Sequence, residues 1–292
     1  MNQPTLHVES LFDGATATFT HIVHDGTHCA VVDPVLGYDA SSGRTSSTPT
    51  EAVAAVIEHL GLTVQWLLET HAHADHLSGA PWLQRRFGGT LAMGTGIMAV
   101  QKVFRAVFNA EDLATDGSQF QHLFSDGEAF AIGRLQARAL HVPGHTPADM
   151  AFLVEDPAGG PSAVLVGDTL FMPDVGTARC DFPGGDARQL FRSARRLLAL
   201  PPDTRLYLCH DYPPATRKPC GLATVAEQRA ANIHVRDGIT QEEFVARRQA
   251  RDATLAMPTL MLPSVQVNVR AGRLPPAEAN GVSYLKIPVD LL

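Results

Sequence analysis

The sequence predicts an α/β layered fold, and three observations carry that expectation. Apolar runs of strand character alternate with amphipathic helical patterns over most of the 292 residues. Four of the strand-like runs end directly at a histidine or an aspartate. Neither a repeat at a period of about 20 to 50 residues nor a linker-like shift in composition interrupts the chain, so residues 1–292 are expected to form one contiguous domain. Polar groups held just beyond the carboxyl ends of strands are what such an architecture places in a cleft along one sheet edge.

Residues 15–33 read as two short β-rich runs joined by a turn at Asp25-Gly26. A loop rich in Ser, Thr, Gly and Pro covers 39–50, and Val53, Val56, Ile57 and Leu60 then fall at helical spacing. Val64 to Leu68 is a strand that stops at Glu69-Thr70, immediately before the sequence HAHADH. The same grammar recurs: LQARALHV precedes Pro143-Gly144-His145, SAVLVG precedes Asp168, and TRLYLC precedes His210. Helical patterns lie at about 77–87, 96–108, 186–200 and 223–233. Beyond Asp237, QEEFVARRQARDATLAM is helical, and the remainder is rich in Pro, Gly and Asn. Residues 237–292 are too few apolar groups for a core of their own and are expected to wrap the main body as a C-terminal extension.

Composition narrows the function. Hydrophobic residues make up 45% and charged residues 18%, enough apolar material for a sizeable core. Thirty acids against twenty-three bases give a formal charge of -7, which repels phosphate backbones and anionic lipid and disfavours a nucleic-acid partner. No stretch approaches the roughly 18 consecutive apolar residues of a membrane helix, and MNQPTLHVES has neither the basic nor the apolar region of a secretory signal. A cytoplasmic protein without membrane partners is the expectation. Cys29, Cys180, Cys209 and Cys220 contain no CxxC and are too sparse for a disulfide framework, so reduced thiols are expected.

His71, His73, Asp75 and His76 pack three imidazoles and one carboxylate into six residues, directly after a strand and before a helical run. Neutral imidazole nitrogen and carboxylate oxygen suit Zn, Fe and Mn, and a strand-to-helix turn lets alternate side chains converge on one point. A lone HxH is commonly no more than an exposed turn, but the added Asp75-His76 pair argues for ligation. In Pro143-Gly144-His145-Thr146-Pro147 a glycine and two prolines make a stiff turn that can aim an imidazole. Singly, Asp168 reads as a turn aspartate and His210 as a capped strand-end histidine. Together the four strand ends point to one site.

The set His71, His73, Asp75, His76, His145, Asp168 and His210 resembles the full ligand pattern of the metallo-β-lactamase superfamily over approximately residues 15–215, which implies a four-layer αββα sandwich. Within it, Gly167-Asp168-Thr169-Leu170-Phe171, Ala178-Arg179-Cys180-Asp181-Phe182, His210-Asp211-Tyr212 and Thr224-Val225-Ala226-Glu227-Gln228-Arg229 are most similar to the persulfide dioxygenases. That resemblance implies oxidation of glutathione persulfide by O2 to sulfite and glutathione, in sulfide or persulfide detoxification, at one Fe(II) per subunit. It carries the iron ligands over to His71, His145 and Asp168. Two histidines and one carboxylate leave about three coordination positions open, and only a redox-active ion, not zinc, can serve such a reaction. His73, Asp75, His76 and His210 then orient ligands or tune water and substrate. Arg179, Tyr212, Arg229, Asn232 and Asn268 are the implied substrate contacts. A homo-oligomer is compatible with the sequence.

The same seven groups also admit a binuclear hydrolase similar to glyoxalase II. Two Zn(II) ions would then bind His71, His73 and His145 on one side and Asp75, His76 and His210 on the other, with Asp168 bridging, to cleave a thioester of glutathione. Other signals are set aside. Gly94-Thr95-Gly96-Ile97-Met98-Ala99 matches GxGxxA but lacks a full βαβ unit. Cys209 ends an apolar run and reads as a buried strand cysteine rather than a nucleophile. Arg188, Arg192, Arg195 and Arg196 form one solvated helix face. The histidines at 7, 21, 24, 28, 59, 122, 141 and 234 lack clustered context and read as surface or core residues.

Overall fold

The computed structural model describes residues 6–291. The first half of the chain runs through β1 (His7–Asp13), β2 (Thr18–His24), β3 (His28–Val32), β4 (Val35–Asp39), β5 (Arg44–Ser46), α1 (Thr48–Leu60), β6 (Thr63–Leu68), β7 (Leu77–Ser78), α2 (Ala80–Phe87), β8 (Thr90–Gly94), α3 (Ile97–Val107) and β9 (His122–Phe124). The second half continues with β10 (Ala129–Ile132), β11 (Leu135–His141), β12 (Met150–Glu155), β13 (Ala163–Leu165), α4 (Ala187–Leu198), β14 (Arg205–Tyr207), β15 (Leu222–Thr224), α5 (Val225–Ala231), α6 (Gln241–Asp252) and α7 (Met261–Asn268). One six-stranded sheet has the order β1-β2-β3-β6-β8-β9, the other β10-β11-β12-β13-β14-β15, and β5-β4-β7 form a small third sheet.

The period-two alternation of the strands sorts their side chains into separate cores. Cys29 and Val31 of β3 join α1, α2 and α3 in an outer core that includes Ile57, Leu83 and Ile97. Ala30 and Val32 point the opposite way and meet Phe152, Val154 and Leu165 of the second sheet. On that sheet Ala151, Val164 and Leu206 face outward to α4, α5 and α6, against Leu190, Leu197, Val225 and Phe244. Helix, sheet, sheet and helix follow in that order, the αββα sandwich implied by the resemblance.

The expected hairpin is present, with β2 and β3 antiparallel across Asp25-Gly26, and a further strand, β1, pairs along the outer edge of β2. The expected helix from 77 begins instead at Ala80. Leu77 and Ser78 pair with Leu36 and Val35, and Pro81 fits only the first helical turn, where its missing N–H is not needed. Likewise Leu222–Thr224 pairs with β14 before Thr224 caps α5 through a reciprocal bond with Glu227. The tail contains α7, which the proline-rich composition concealed. Pro263 lies in the first turn of α7 and breaks no helical hydrogen bond.

The carboxyl ends of β6, β11, β13 and β14 bring His71, His145, Asp168 and His210 to one rim of the sandwich. The aim of His145 depends on Gly144, whose φ of 143° is open only to glycine. A Cβ there would lie 2.2 Å from the backbone nitrogen of Leu190 in α4. Gly144→Ala is therefore expected to cost at least about 1–3 kcal/mol from backbone strain alone. Gly14→Ala, with nothing within 4 Å of the added carbon, should be near neutral. Thermal unfolding of the two variants checks this, and coincident midpoints would contradict the packing of the 143–145 turn on α4.

Candidate metal centre

The geometry of each ligand follows from where its other polar atom is held. Asp33, at the end of β3, accepts hydrogen bonds from the Thr70 backbone N–H at 2.7 Å and from the Thr70 hydroxyl at 2.8 Å. That hydroxyl has spent its one proton, so it accepts from the Nδ1–H of His71 at 3.0 Å, leaving the Nε2 lone pair of His71 free. Asp33 also accepts from Nε2 of His73 at 3.0 Å, which leaves Nδ1 as the ligating atom of that residue. His145 donates from Nδ1 to the carbonyl of Arg179 at 2.7 Å. His210 is held at Nδ1 by the carbonyl of Ala17 at 3.2 Å, and His76 Nδ1 lies 3.2 Å from Oδ2 of Asp75. Fixing one ring nitrogen by hydrogen bonding is how ligating imidazoles are oriented in metal sites.

The freed atoms face one another. Nε2 of His71 and of His145 lie 3.8 and 3.5 Å from Oδ2 of Asp168, and Nε2 of His210 lies 3.3 Å from Asp75 and 3.4 Å from Oδ1 of Asp168. Nε2 of His71, His76 and His210, Nδ1 of His73 and Oδ1 of Asp168 are buried and accept no hydrogen bond. Lone pairs in this arrangement repel unless a cation lies between them, and the donor set of imidazole and carboxylate fits Zn or Fe. Burial, with His73 and His145 nearby, holds His71 well below the usual histidine range, and burial with His73 lowers His76 as well, so both are neutral donors. Burial alone would raise Asp75, but His210 and His76 keep its carboxyl well below the carboxylate norm.

All seven predicted ligands come together. They form one group of His71, His145 and Asp168 and another of His73, Asp75, His76 and His210, each with its ligand atoms within 4.8 Å of one another. Asp33 and Glu69 were missed by sequence reasoning. Asp33 follows Val31-Val32 in the same strand-then-carboxylate pattern that marked the other ligands, and that signal was sufficient to find it. Glu69 accepts from the Ser78 hydroxyl and lies 3.5 Å from His73 Nε2, with its carboxyl pushed up by burial.

A cavity of about 1220 Å³ adjoins the centre, and its lining includes Asp75, His145 and Asp168 together with Arg248, Arg251 and Leu260. Of the expected substrate contacts, Arg179 and Tyr212 line it. The half-exposed Tyr212 ring stacks on His210 at 5.8 Å, and partial desolvation together with Asp75 pushes its hydroxyl above the tyrosine range, so it is an O–H donor. The guanidinium of Arg179 is already engaged by Asp181 at 2.6 Å and by the carbonyl of Ala256 at 2.7 Å.

Arg229, Asn232 and Asn268 do not line the cavity, and each has a different occupation. Arg229 pairs with Asp237 at 2.9 Å on the surface. Asn232 is buried, donates to Gly176 O at 3.0 Å and accepts from His234 N at 2.8 Å, shaping the turn that brings Ile233 and His234 to the cavity. Asn268 is bonded to the backbone of the ligand loop. Arg251, which sequence reasoning passed over, borders the cavity with no side-chain partner among the described residues, whereas Arg248 is bound to Asp252 at 2.6 Å.

Fold and site together define a metal-binding αββα sandwich with a His/Asp cluster at one sheet edge. The chain belongs to the metallo-beta-lactamase superfamily, whose family model matches residues 13–210. It is 54% identical over 98% of its length to a probable metallo-hydrolase of Burkholderia pseudomallei, covering 99% of that protein. It is 47% identical to glyoxylase B2 of Dictyostelium discoideum, covering 100% of this chain and 99% of the relative. The mitochondrial persulfide dioxygenase ETHE1 of Homo sapiens is 28% identical over 91% of this chain and 88% of its own. The crystal structure of ETHE1 from Myxococcus xanthus superposes with a TM-score of 0.71 at 26% identity, covering 91% of this chain and all of that one. Among the described residues no helix is long and apolar enough to cross a membrane.

The cysteines supply a check on the site. Cys29, Cys180 and Cys209 are buried, and burial pushes the thiols of Cys29 and Cys180 up to about 12 and that of Cys209 well above its ordinary range. Raised values keep them as unreactive thiols at any pH below their own, and only Cys220 is partly accessible. Iodoacetamide at pH 8 is expected to label one site on the native protein and four after denaturation, read by intact mass. Rapid native labelling of Cys209 would contradict the closed strand end beside His210.

Proposed function

We propose that the protein is an Fe(II)-dependent persulfide dioxygenase, with one iron per subunit, that converts glutathione persulfide, O2 and water to sulfite and glutathione. The observation that carries the reading is the facial set of His71, His145 and Asp168, whose ligand atoms lie within 4.8 Å of one another. His73 groups with Asp75, His76 and His210 and also with Asp33 and Glu69, and Asp168 groups a second time with Cys209 and His210. Two imidazoles and one carboxylate on one face are the donor set of non-haem iron oxygenases. The likeness to persulfide dioxygenase ETHE1 along 91% of the chain supports the same reading.

A bound Fe(II) supplies the redox chemistry that sulfur oxidation requires and that Zn(II) lacks. The protein's own groups do the rest. The cavity exceeds the roughly 300–1,000 Å³ of common ligand clefts, which is ample for a tripeptide thiol. Arg251, which borders the cavity with no side-chain partner among the described residues, would take a carboxylate of the glutathionyl part, and Phe171 and Tyr212 are further groups of the same wall. Tyr212, stacked on His210, offers an O–H donor, and the carbonyl of Arg179 fixes His145.

A second reading, a glyoxalase II-like thioester hydrolase with two Zn(II), is favoured by the four-residue group His73, Asp75, His76 and His210, which is complete enough to hold its own ion. The 47% identity to glyoxylase B2 supports it too. Protein loaded anaerobically with Fe(II), because Zn(II) outcompetes it at such sites, is expected to consume one O2 and release one sulfite per glutathione persulfide. His71→Ala, His145→Ala and Asp168→Ala should lose both iron and turnover, and His73→Ala, Asp75→Ala or His76→Ala should be milder. Arg251→Ala should raise KM about tenfold or more with little change in kcat, the loss of a charge-assisted hydrogen bond. Thioester hydrolysis by the zinc-loaded protein, with no O2 uptake by the iron-loaded one, would overturn the dioxygenase in favour of the hydrolase.

A further inference from the structure

The ligand loop His71–His76 belongs to no helix or strand and has little regular backbone bonding of its own. One side chain far away in sequence supplies what it lacks. The amide nitrogen of Asn268 donates to the carbonyls of His73 and His76, both at 2.8 Å, and its oxygen accepts from the backbone N–H of Ser78 at 2.9 Å. Two carbonyls and one N–H admit only one orientation of the amide, so its oxygen and nitrogen are assigned by their partners. Asn268 is buried, at 3% exposure, and the two carbonyls it holds flank Asp75.

The helix that carries it is itself locked. Met261, Val265 and Val269 enter the outer core. Gln101 of α3 donates to Val269 O at 2.9 Å and accepts from Gly117 N at 3.0 Å, and Arg270 pairs with Asp112 at 2.7 Å. A Cβ on Gly272 would lie 2.6 Å from Pro81, so the chain beyond α7 is pressed against the start of α2. The position of α7 is therefore fixed by contacts that do not involve the ligands, and Asn268 transmits that position to the loop.

We propose that Asn268 is a positioning residue that sets the metal affinity of the His71–His76 loop, and that the C-terminal segment 237–292 is through it a working part of the metal centre. The proposal rests on the reading of His73, Asp75 and His76 as metal-site residues and is indifferent to which reaction the centre performs. Without the clamp the carbonyls of His73 and His76 turn toward other donors, and the side chains on either side of Asp75 lose their common aim. Residues that orient ligands in this way typically alter metal affinity by about 10–100-fold.

The test pairs Asn268→Leu, which deletes all three bonds at similar volume, with Gln101→Leu, which removes the buried α3 amide that braces the end of α7 at Val269 O without touching the loop. Both should lower the thermal midpoint of the metal-free protein. Zn(II) dissociation constants from chelator competition should rise about 10–100-fold for Asn268→Leu and stay within about twofold for Gln101→Leu. The Co(II) absorption spectrum should change only in the first. Asn268→Asp, which keeps the acceptor for Ser78 N and loses both donors, serves if the leucine variant does not fold and should weaken Zn(II) in the same way. Equal affinities for native protein and the Asn268 variant that folds overturn the proposal. Failure of native protein to bind Zn(II) or Co(II) at all would instead overturn the metal reading of the site.

Discussion

Five buried ligand atoms that face one another without a hydrogen-bond partner are the constraint around which this molecule is built. Nε2 of His71, His76 and His210, Nδ1 of His73 and Oδ1 of Asp168 lack hydrogen-bond partners. Leaving one such group unsatisfied costs about 1–3 kcal/mol, so five of them are tolerable only where a cation offsets the loss or where the surrounding fold is stable enough to hold them. The structure does not relieve the strain by turning the rings, because each of the four imidazoles is pinned at its other nitrogen: by Thr70, by Asp33, by Asp75 and by Ala17. The hydrogen bonds that fix the ligands are thus the same ones that prevent them from satisfying each other.

The sandwich supplies that rigidity at its rim, where two sheets end together. The antiparallel bridge between Thr18 and His210 crosses from the first sheet to the second, with Phe19 N donating to Cys209 O at 2.7 Å. Gly167 lets Asp168 leave β13 against Thr70 of the first sheet, in a space where a Cβ would lie 2.8 Å from the Thr70 side chain. Two loops from different sheets therefore touch at the point where their ligands converge, and neither can move without the other.

Much of this was legible in the sequence because it is local. A strand announces itself by apolar residues, and a ligand one to three positions past its end is visible without knowing the fold, which is how His71, His145, Asp168 and His210 were found. What stayed hidden depends on distance. The resemblance implied Asn268 as a substrate contact, and nothing local marks it as a clamp on the ligand loop, since its partners His73 and His76 lie 195 and 192 positions away. Arg229 and Asn232 were implied as substrate contacts by the resemblance, and the partners that occupy them, Asp237 for one and Gly176 for the other, meet them only after α5 has packed. Arg251 was passed over for the converse reason: its importance is the absence of a partner among the described residues, and absence is not written in a motif.

The two reactions that this centre could support differ in the ion and agree on the substrate's shape. A dioxygenase of glutathione persulfide and a hydrolase of glutathione thioesters both act next to the sulfur of a glutathione derivative whose carboxylates lie elsewhere on the molecule. The cavity wall carries both the ligand carboxylates Asp75 and Asp168 and the guanidinium of Arg251, which has no side-chain partner among the described residues. On the proposed reading a cation offsets the two ligand carboxylates, and Arg251 is the wall group suited to a substrate carboxylate. The part of the function set by the cavity is therefore shared. What divides the two readings is the occupancy of the four-residue group His73, Asp75, His76 and His210, because a second ion there would engage the groups that otherwise only orient and tune the first.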